Sequence, residues 1–215
     1  MRLLHRAGGL TSAIDLVIAD VRRRDRDRYL ALLYAPVGLR PALFALHGLD
    51  LELASVVVGT SEAMIGEIRL AWWREALAGL DAGRVPAQPL LEVLAGDVVA
   101  HGIAGAELAT LEDRWLGMIG TDDVPAAHVD GGAQLFAMSA RLLGGDPKLA
   151  AVLGRAWVLG DDSGLPRVAA ALRPLLGLVR LAARDAHRAR VGAAMEARGS
   201  LGRQWVLLKA IALSG

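Results

Sequence analysis

The sequence predicts an all-α protein, and three observations lead to that fold class. Proline and glycine divide the chain into segments of helical length, and almost no segment alternates apolar and polar residues with period two. Hydrophobic residues make up 54% of the chain, which is enough for each such segment to bury one face. The one β-type run, SVVVG at 55–59, has no neighbouring strand to pair with and is expected to end a helix.

Capping residues and helix breakers predict the elements in order. Thr11 or Ser12 caps the first helix, Ser61 caps the fourth, and prolines stand in the first turn of several others. Pro174 is expected to kink or split the penultimate helix. The expected helices cover about 12–24, 27–34, 41–58, 61–83, 89–101, 104–118, 125–143, 147–159, 166–198 and 201–213.

The breaks between these helices are short connections, such as GTDDVP and LGGDP, and none has the length of a domain linker. No internal repeat or low-complexity tract is evident. The sequence therefore predicts a single domain over residues 1–215.

Composition excludes several functional classes. The chain has no cysteine, so disulfides, thiolate nucleophiles and iron–sulfur clusters are excluded. A formal net charge of +1 provides no global field for nucleic acid. No uncharged 18-residue window and no apolar core of a secretory signal is found, so we expect no transmembrane segment. We expect a cytoplasmic protein, with peripheral contact to the inner membrane as a further option.

The segment RRRDRDR, residues 22–28, carries five arginines and two aspartates. Two interpretations stay open for it. Basic runs are usually solvated, which predicts a helix junction exposed to water. The alternative is a contact with phosphate on a lipid, a diphosphate or a nucleic acid.

The most distinctive stretch is MIGEIRLAWWREAL, residues 64–77. At 100° per residue, Ile68 and Trp72 fall on one apolar stripe, and Leu70 and Trp73 fall on an adjacent one. Together the two stripes make most of the helix surface apolar. We therefore expect this helix to be buried among others.

The charged residues of the same helix divide between two sides. Glu67 and Arg74 share one line, about 10 Å apart along the axis and too far for a direct ion pair, while Arg69 lies opposite. Each charge is expected to need a partner from another helix or a ligand, because an unpaired buried charge is costly. Ion pairs to neighbouring helices and a polar pocket are both open interpretations.

Three segments carry a family resemblance: DRDRYLALLYAP at 25–36, the run 39–77 that ends in GEIRLAWWREAL, and GRAW at 154–157. In them the chain resembles the squalene/phytoene synthase superfamily. The likeness is greatest to a degenerate bacterial branch related to a mitochondrial complex I assembly factor. The resemblance implies one helical bundle of the isoprenoid (trans-prenyl diphosphate) synthase type, with a shortened C-terminal part.

Active members of that superfamily join two prenyl diphosphates head to head. The resemblance implies two aspartate-rich motifs that hold Mg²⁺ on facing helices, because divalent ions must neutralise the departing diphosphate. Aspartates four residues apart share one helix face and can share an ion.

The chain departs from the family at these motifs. Its flanking residues place Ala54, Ser55 and Val58 where the first motif has acids, and the nearby Asp50 and Glu52 point to opposite sides of a helix. None of the 23 acidic residues has another acid three or four positions away.

The second motif survives as the remnant DDSGLP, residues 161–166. Asp161 and Asp162 stand at a helix break, where we expect them to cap a helix or form a turn. We therefore expect no metal site, and Mg²⁺ only if the chain is an active prenyltransferase.

Two smaller patterns have modest interpretations. Asp97 and His101 are spaced for one helix face, but the other ligands of a metal shell are missing. Gly131 and Gly132 are expected to allow close helix packing, with a small-residue groove for a prenyl tail as the alternative.

Three function hypotheses remain. The first is a non-catalytic synthase-like protein that binds a lipid tail in a central cavity or a protein partner, as an assembly factor does. The second is an active head-to-head prenyltransferase that makes squalene- or phytoene-like products. The third is a helical interaction module unrelated to isoprenoids. The first names no catalytic residue; its candidates for the cavity or partner site are Glu52, Glu67, Arg69, Trp73 and Arg74.

Overall fold

The computed structural model describes residues 12–60, 62–121 and 123–212, and no strand occurs among them. The predicted all-α fold class is confirmed. Single turns of 3₁₀ helix lie at Val37–Leu39, Leu80–Ala82, Val99–His101 and Ala170–Leu172, and a π-helical turn lies at Leu94–Val98. The α-helices are α1 (Ala13–Arg24), α2 (Arg26–Leu32), α3 (Arg40–Val58), α4 (Ala63–Gly79), α5 (Pro89–Val93), α6 (Gly105–Ala109), α7 (Leu111–Leu116), α8 (Ala126–Leu143), α9 (Pro147–Leu159), α10 (Arg173–Arg190) and α11 (Leu201–Ala212).

Several predicted helix ends are confirmed. Ser12 caps α1 in a capping box, since its side chain accepts from the Asp15 backbone and the Asp15 carboxylate accepts in return from the Ser12 backbone. The run 55–59 ends α3, as expected, with Gly59 as the residue after the helix. The alternative cap Thr11 and the predicted cap Ser61 lie outside the described residues.

Other predicted ranges are wrong in part. The segment 89–101 is one α-helical turn continued by π and 3₁₀ turns, and 104–118 is divided at Thr110 into α6 and α7. The helix expected at 166–198 begins only at Arg173 and ends at Arg190. Pro174 lies in its first turn, where no backbone N–H is needed, so it starts the helix and does not kink it.

The apolar core runs from Val17 in α1 to Ala210 in α11. Its centre is α3, in which every residue from Ala42 to Asp50 is buried. By length and composition the helical segment Val37–Val58 could cross a membrane, but 61% of its most apolar window is buried inside the fold. That burial is expected of a core helix. A single domain over 1–215 stays a prediction.

Small residues bring α8 close to its neighbours. A Cβ atom on Gly132 would collide with Val158 of α9, and one on Gly154 would lie 2.7 Å from the Cα of Ala133. A Cβ on Gly131 would collide with the side chain of Arg114. The close-packing interpretation of the glycine pair is therefore confirmed, since protein side chains occupy the space above both residues.

Candidate functional site

A buried carboxylate, Asp50 of α3, forms the centre of a polar network in the core. The Asp50 side chain is fully buried, and Arg28 Nη1 of α2 donates to its Oδ2 at 2.7 Å. On the other oxygen, Arg114 Nη1 of α7 lies 3.3 Å away and Trp115 Nε1 donates at 3.0 Å. Both carboxylate oxygens are thus engaged by cationic or N–H groups.

The local sequence explains how Arg28 reaches the core. Asp25 caps α2, and its Oδ1 accepts from the backbone N–H groups of Asp27 and Arg28. The second oxygen of Asp25 lies 3.2 Å from Arg28 Nε. One aspartate therefore starts the helix and also orients the guanidinium toward Asp50.

The network holds its titratable groups in fixed protonation states. Burial by itself would raise the pKa of Asp50, but the charges of Arg114 and Arg28 and the hydrogen bonds from Arg28 and Trp115 lower it to about 2. Burial, together with the charge of Arg28, lowers the pKa of His47 to about 3. At neutral pH the centre therefore contains an ionised Asp50 and a neutral His47.

His47 also has a defined role in packing. The Ser139 hydroxyl of α8 donates to the Leu135 carbonyl at 2.8 Å, so it accepts from His47 Nε2, which lies 3.2 Å away. The opposite ring atom, His47 Nδ1, is buried without a hydrogen-bond partner. The imidazole thus links α3 to α8 in its neutral Nε2–H form.

Aromatic rings and guanidinium groups fill the space next to Asp50. The Cζ atoms of Arg28 and Arg114 each lie 4.8 Å from the ring centroid of Trp157 of α9. Phe136 of α8 stacks on the same ring, with centroids 5.2 Å apart and an interplanar angle of 22°. Such contacts stabilise a desolvated guanidinium. The middle of the bundle at this level is therefore occupied by the protein's own side chains.

A second network joins α2, α10 and α11. Arg203 of α11 is buried, and its Nε donates to Asp27 at 2.9 Å while its Nη2 donates to Asp185 at 3.0 Å. The other oxygen of Asp27 accepts from the Gly199 backbone at 2.9 Å. Hydrogen bonds to the two carboxylates raise the pKa of Arg203 although burial opposes them. A cavity of about 120 Å³ beside this network is lined in part by Asp25, Asp27 and Arg198.

These networks correct the expectation for the segment 22–28. Arg22 and Arg23 are exposed, as a solvated junction requires, but Asp25, Asp27 and Arg28 are buried in ion pairs. The solvated interpretation is therefore wrong for those three residues. Their charges are satisfied by partners that are distant in sequence.

Two of the five sequence-derived candidates form ion pairs with other helices. Arg74 lies 3.3 Å from the carboxylate of Glu112 in α7, and burial raises the pKa of Glu112 against the opposing effect of Arg74. Glu52 lies 2.8 Å from Arg24 of α1. For Arg74, the predicted ion pair with a neighbouring helix is therefore confirmed.

The other three candidates do not converge on one place. Trp73 is buried in the core, whereas Glu67 and Arg69 are exposed and have no ion-pair partner among the described residues. The five residues therefore form no common pocket in the part of the chain that the structure describes. Their role in binding a partner stays a prediction.

The positions matched to the metal motifs have other roles. Val58 is exposed, and the Ser55 hydroxyl donates to the Glu52 carbonyl within α3 at 2.7 Å. Asp161 accepts from the Ser163 backbone at 2.9 Å, which confirms its turn role, and Asp162 pairs with Arg180. Among the described residues, no cluster of three or more His, Asp or Glu side chains could hold a metal ion.

Helix α4 contradicts one expectation directly. It was expected to be buried nearly all round, but only the stripe with Leu70 and Trp73 is buried. The other stripe is open to solvent: Ile65 is 47% exposed, Ile68 is 62% exposed and Trp72 is 48% exposed. The reason is that α3, α6 and α7 all pack on the first side. A row of large apolar side chains is therefore exposed.

Sequence reasoning missed the buried centre. Asp50 was noted only for its spacing from Glu52, and Arg114 and Arg203 were not singled out. One signal could have identified Asp50, because it interrupts the apolar run ALFALHGLDL at 42–51 and a charge inside such a helix must be paired. Its partners, 22 and 64 positions away, leave no signal in local spacing.

Comparisons with known proteins agree with the resemblance found in the sequence. A family model described as squalene/phytoene synthase matches residues 21–111. The chain is also similar to assembly factor 6 of NADH dehydrogenase (ubiquinone) complex I. The Homo sapiens protein is 31% identical over 94 residues, the Bos taurus protein 31% over 96 residues and the Rattus norvegicus protein 32% over 96 residues.

These matches cover part of each protein. They include 44–45% of this chain but only 26–28% of the length of the three relatives. No solved structure matches. Residues 21–111 resemble the squalene/phytoene synthase family, as their motifs predicted, and the described part of the chain has the all-α fold class that this resemblance implies.

Proposed function

We propose that this protein is a non-catalytic, squalene/phytoene synthase-like protein that binds a protein partner during assembly of a respiratory NADH dehydrogenase. Its similarity to complex I assembly factor 6 supports the class of process. The exposed apolar stripe on α4 is the observation that carries the partner-binding role. The state of Asp50 supports the absence of catalysis.

Mg²⁺-dependent condensation requires carboxylates that are free to share an ion. Asp50 is the fully buried acid nearest to the position of the first motif, and both of its oxygens are engaged by Arg28, Arg114 and Trp115. A metal ion at Asp50 would have to displace two guanidinium groups whose own burial without a carboxylate is costly. The centre is thus organised for stability.

The stripe on α4 has the form of a docking surface. Ile65, Ile68 and Trp72 follow the i, i+3, i+7 spacing that a partner helix can contact over about two turns. The stripe continues into a cleft of about 510 Å³ lined by Trp72, Ala76 and the loop residues Val85 and Pro86. An amphipathic helix of a complex subunit matches this surface in length and polarity.

The proposal also covers the cellular location of the protein and the choice between a protein partner and a lipid tail. The protein works on the cytoplasmic side of the inner membrane, in peripheral contact with it. We assign the binding role to a protein partner and not to a lipid tail, because Trp157, Phe136 and two arginines occupy the bundle centre. Native mass spectrometry of the purified protein tests this point, since a co-purifying isoprenoid would contradict it.

The assembly role is tested by deleting the gene in the source organism and rescuing it with variants. We expect deletion to lower membrane NADH:quinone activity and the amount of assembled complex several-fold, and the wild-type gene to restore both. The Ile68→Asp/Trp72→Asp variant should fail to rescue, whereas Glu62→Gln, at the exposed residue that precedes the same helix, should succeed. Normal complex in the deletion strain would refute the assembly role.

The alternative of an active prenyltransferase has its own assay. The purified protein is incubated with farnesyl or geranylgeranyl diphosphate and Mg²⁺, and released pyrophosphate is measured. We expect no release above a control without protein. Release above that control, abolished by a chelator, would overturn the non-catalytic proposal.

A further inference from the structure

We propose that α11 and the adjoining cleft on α10 form a docking face for a bilayer that contains anionic phospholipid. This inference rests on the membrane contact in the proposed function and assigns it a surface and a headgroup chemistry. Two independent features carry it, namely an exposed apolar stripe on α11 and a cleft rich in cations beside that stripe.

The apolar stripe lies opposite the buried side of α11. Leu201 is 85% exposed, Trp205 is 55% exposed and Leu208 is 39% exposed. At 100° per residue these three positions fall within a sector of about 60°. The buried Leu207 and Ala210 lie on the other side of the helix, so α11 has two apolar faces and only one is covered.

The exposed stripe belongs to a firmly attached helix. Arg203 anchors α11 through its buried ion pairs with Asp27 of α2 and Asp185 of α10. Leu207 packs so closely on α10 that a Cβ at Gly177 would lie 2.8 Å from its Cδ2. The outward direction of Trp205 is therefore determined by the fold.

The cleft between α10 and α11 has a volume of about 570 Å³ and lies on the Lys209 side of the stripe. Arg180, Arg184, His187 and Arg190 line it from one face of α10. Arg180 pairs with Asp162, and Arg184 pairs with Glu196.

Two further cations of the cleft are available to a ligand. Arg190 and Lys209 form no ion pair with a carboxylate among the described residues. Asp161 also lines the cleft, and its pKa is lowered by hydrogen bonds from Ser163 and also by the charge of Arg190. Lys209 lies 5.4 Å from the ring of Trp205. The positive charge of Arg190 and Lys209 complements phosphate oxygens and is placed next to an apolar surface.

A bilayer surface provides both chemistries at once. An amphipathic helix that lies in the interface inserts Trp and Leu side chains at headgroup depth, while flanking Lys and Arg attract anionic lipid. Each basic residue near such a surface contributes about 1 kcal/mol, or about fivefold in partitioning. Arg190 and Lys209 together should thus increase partitioning to an anionic bilayer about 25-fold. The charge complementarity favours an anionic membrane over an apolar protein partner on this face.

Vesicle co-sedimentation of the full chain tests the inference. Vesicles of phosphatidylcholine alone are compared with vesicles that contain about 30 mol% phosphatidylglycerol, which gives them an anionic surface like that of a natural membrane. We expect binding to the anionic vesicles that weakens with added salt, and little binding to the neutral ones. Equal binding to both vesicles, or no binding to either, would overturn the proposal.

Variants locate the surface. Arg190→Gln/Lys209→Gln should lower anionic-vesicle binding about 25-fold, and Leu201→Ser/Trp205→Ser should also lower it strongly. Trp72→Ser on α4 is the matched control, since it removes a tryptophan of similar exposure and should leave vesicle binding unchanged. Circular dichroism checks that each variant is folded. If the α11 variants bind as the wild type does, the docking face is not on α11.

A second readout reports depth directly. Brominated acyl chains should quench tryptophan fluorescence of the wild type in anionic vesicles, and Trp205→Leu should bind but lose most of this quenching. Failure here is distinguishable from failure of the assembly role, because the α4 variants change complex assembly without changing vesicle binding. Unchanged quenching in Trp205→Leu would contradict the proposed orientation.

Discussion

Replacing Asp50 by Asn should destabilise the protein by about 3–5 kcal/mol, the usual cost of leaving buried charge without its partner. Asn retains the shape of the side chain but leaves Arg28 and Arg114, both buried, without an anionic acceptor. For a chain of this size the expected fall in Tm is about 6–20 °C.

The pKa of Asp50 provides a second and smaller figure. Lowering it from 3.8 to about 2 corresponds to about 2 kcal/mol in favour of the ionised form. That value compares ionised with protonated Asp50 in the folded protein, and it already includes the unfavourable effect of burial on the charge. The substitution also strands two guanidinium groups, so we expect the larger cost.

Urea unfolding followed by circular dichroism measures the effect. Glu67→Gln is the control, because Glu67 is exposed and has no ion pair within the described residues, and it should change the free energy of unfolding by less than about 0.5 kcal/mol. A combined Arg28→Met, Asp50→Leu, Arg114→Met variant should recover much of the loss. A change below about 1 kcal/mol for Asp50→Asn would refute the view that this network stabilises the core.

Two further predictions concern acid stability and helix packing. Burial lowers the pKa of His47 from 6.5 to about 3, so the unfolded state takes up a proton between these values and the folded state does not. The stability that neutral His47 provides is therefore complete above pH 6.5 and is lost as pH falls toward 3, a change of about 5 kcal/mol in the free energy of unfolding. The urea midpoint should fall as pH decreases over that window, and it should fall less in His47→Gln. Some fall should remain in that variant because the pKa of His128 is also lowered. An equal dependence of the urea midpoint on pH in both proteins would contradict the assignment to His47. Gly154→Ala should cost about 1–3 kcal/mol in urea unfolding because its Cβ collides with the backbone of Gly132. Gly96→Ala, with open space around its Cβ, should not destabilise, and an equal loss in both would refute the packing argument.

The family resemblance could be predicted from the sequence, whereas the exposed apolar stripes on α4 and α11 could not. The family segment could be recognised from local motifs such as GEIRLAWWREAL, because those letters are contiguous. Neither the exposure of Trp205 nor that of Trp72 could be predicted, since each helix carries apolar residues on two sides. Which side is covered depends on the arrangement of the other helices.

The two tryptophans of α4 illustrate the point. Their angular separation of about 100° follows from helical geometry alone and was correctly predicted. Trp73 is buried and Trp72 is open because α3, α6 and α7 all lie on one side. Side-chain periodicity predicts relative direction, whereas burial depends on partners that are remote in sequence.

The sequence by itself determined the all-α class, most helix positions, the family resemblance of residues 21–111 and the absence of acids spaced for a shared metal ion. These properties follow from local spacing, which the order of residues specifies directly. Only the tertiary structure decided that Asp50 is held by Arg28 and Arg114, that Arg203 anchors α11, and which apolar stripes stay exposed. Such pairings depend on chain segments that folding brings together, and no local pattern encodes them.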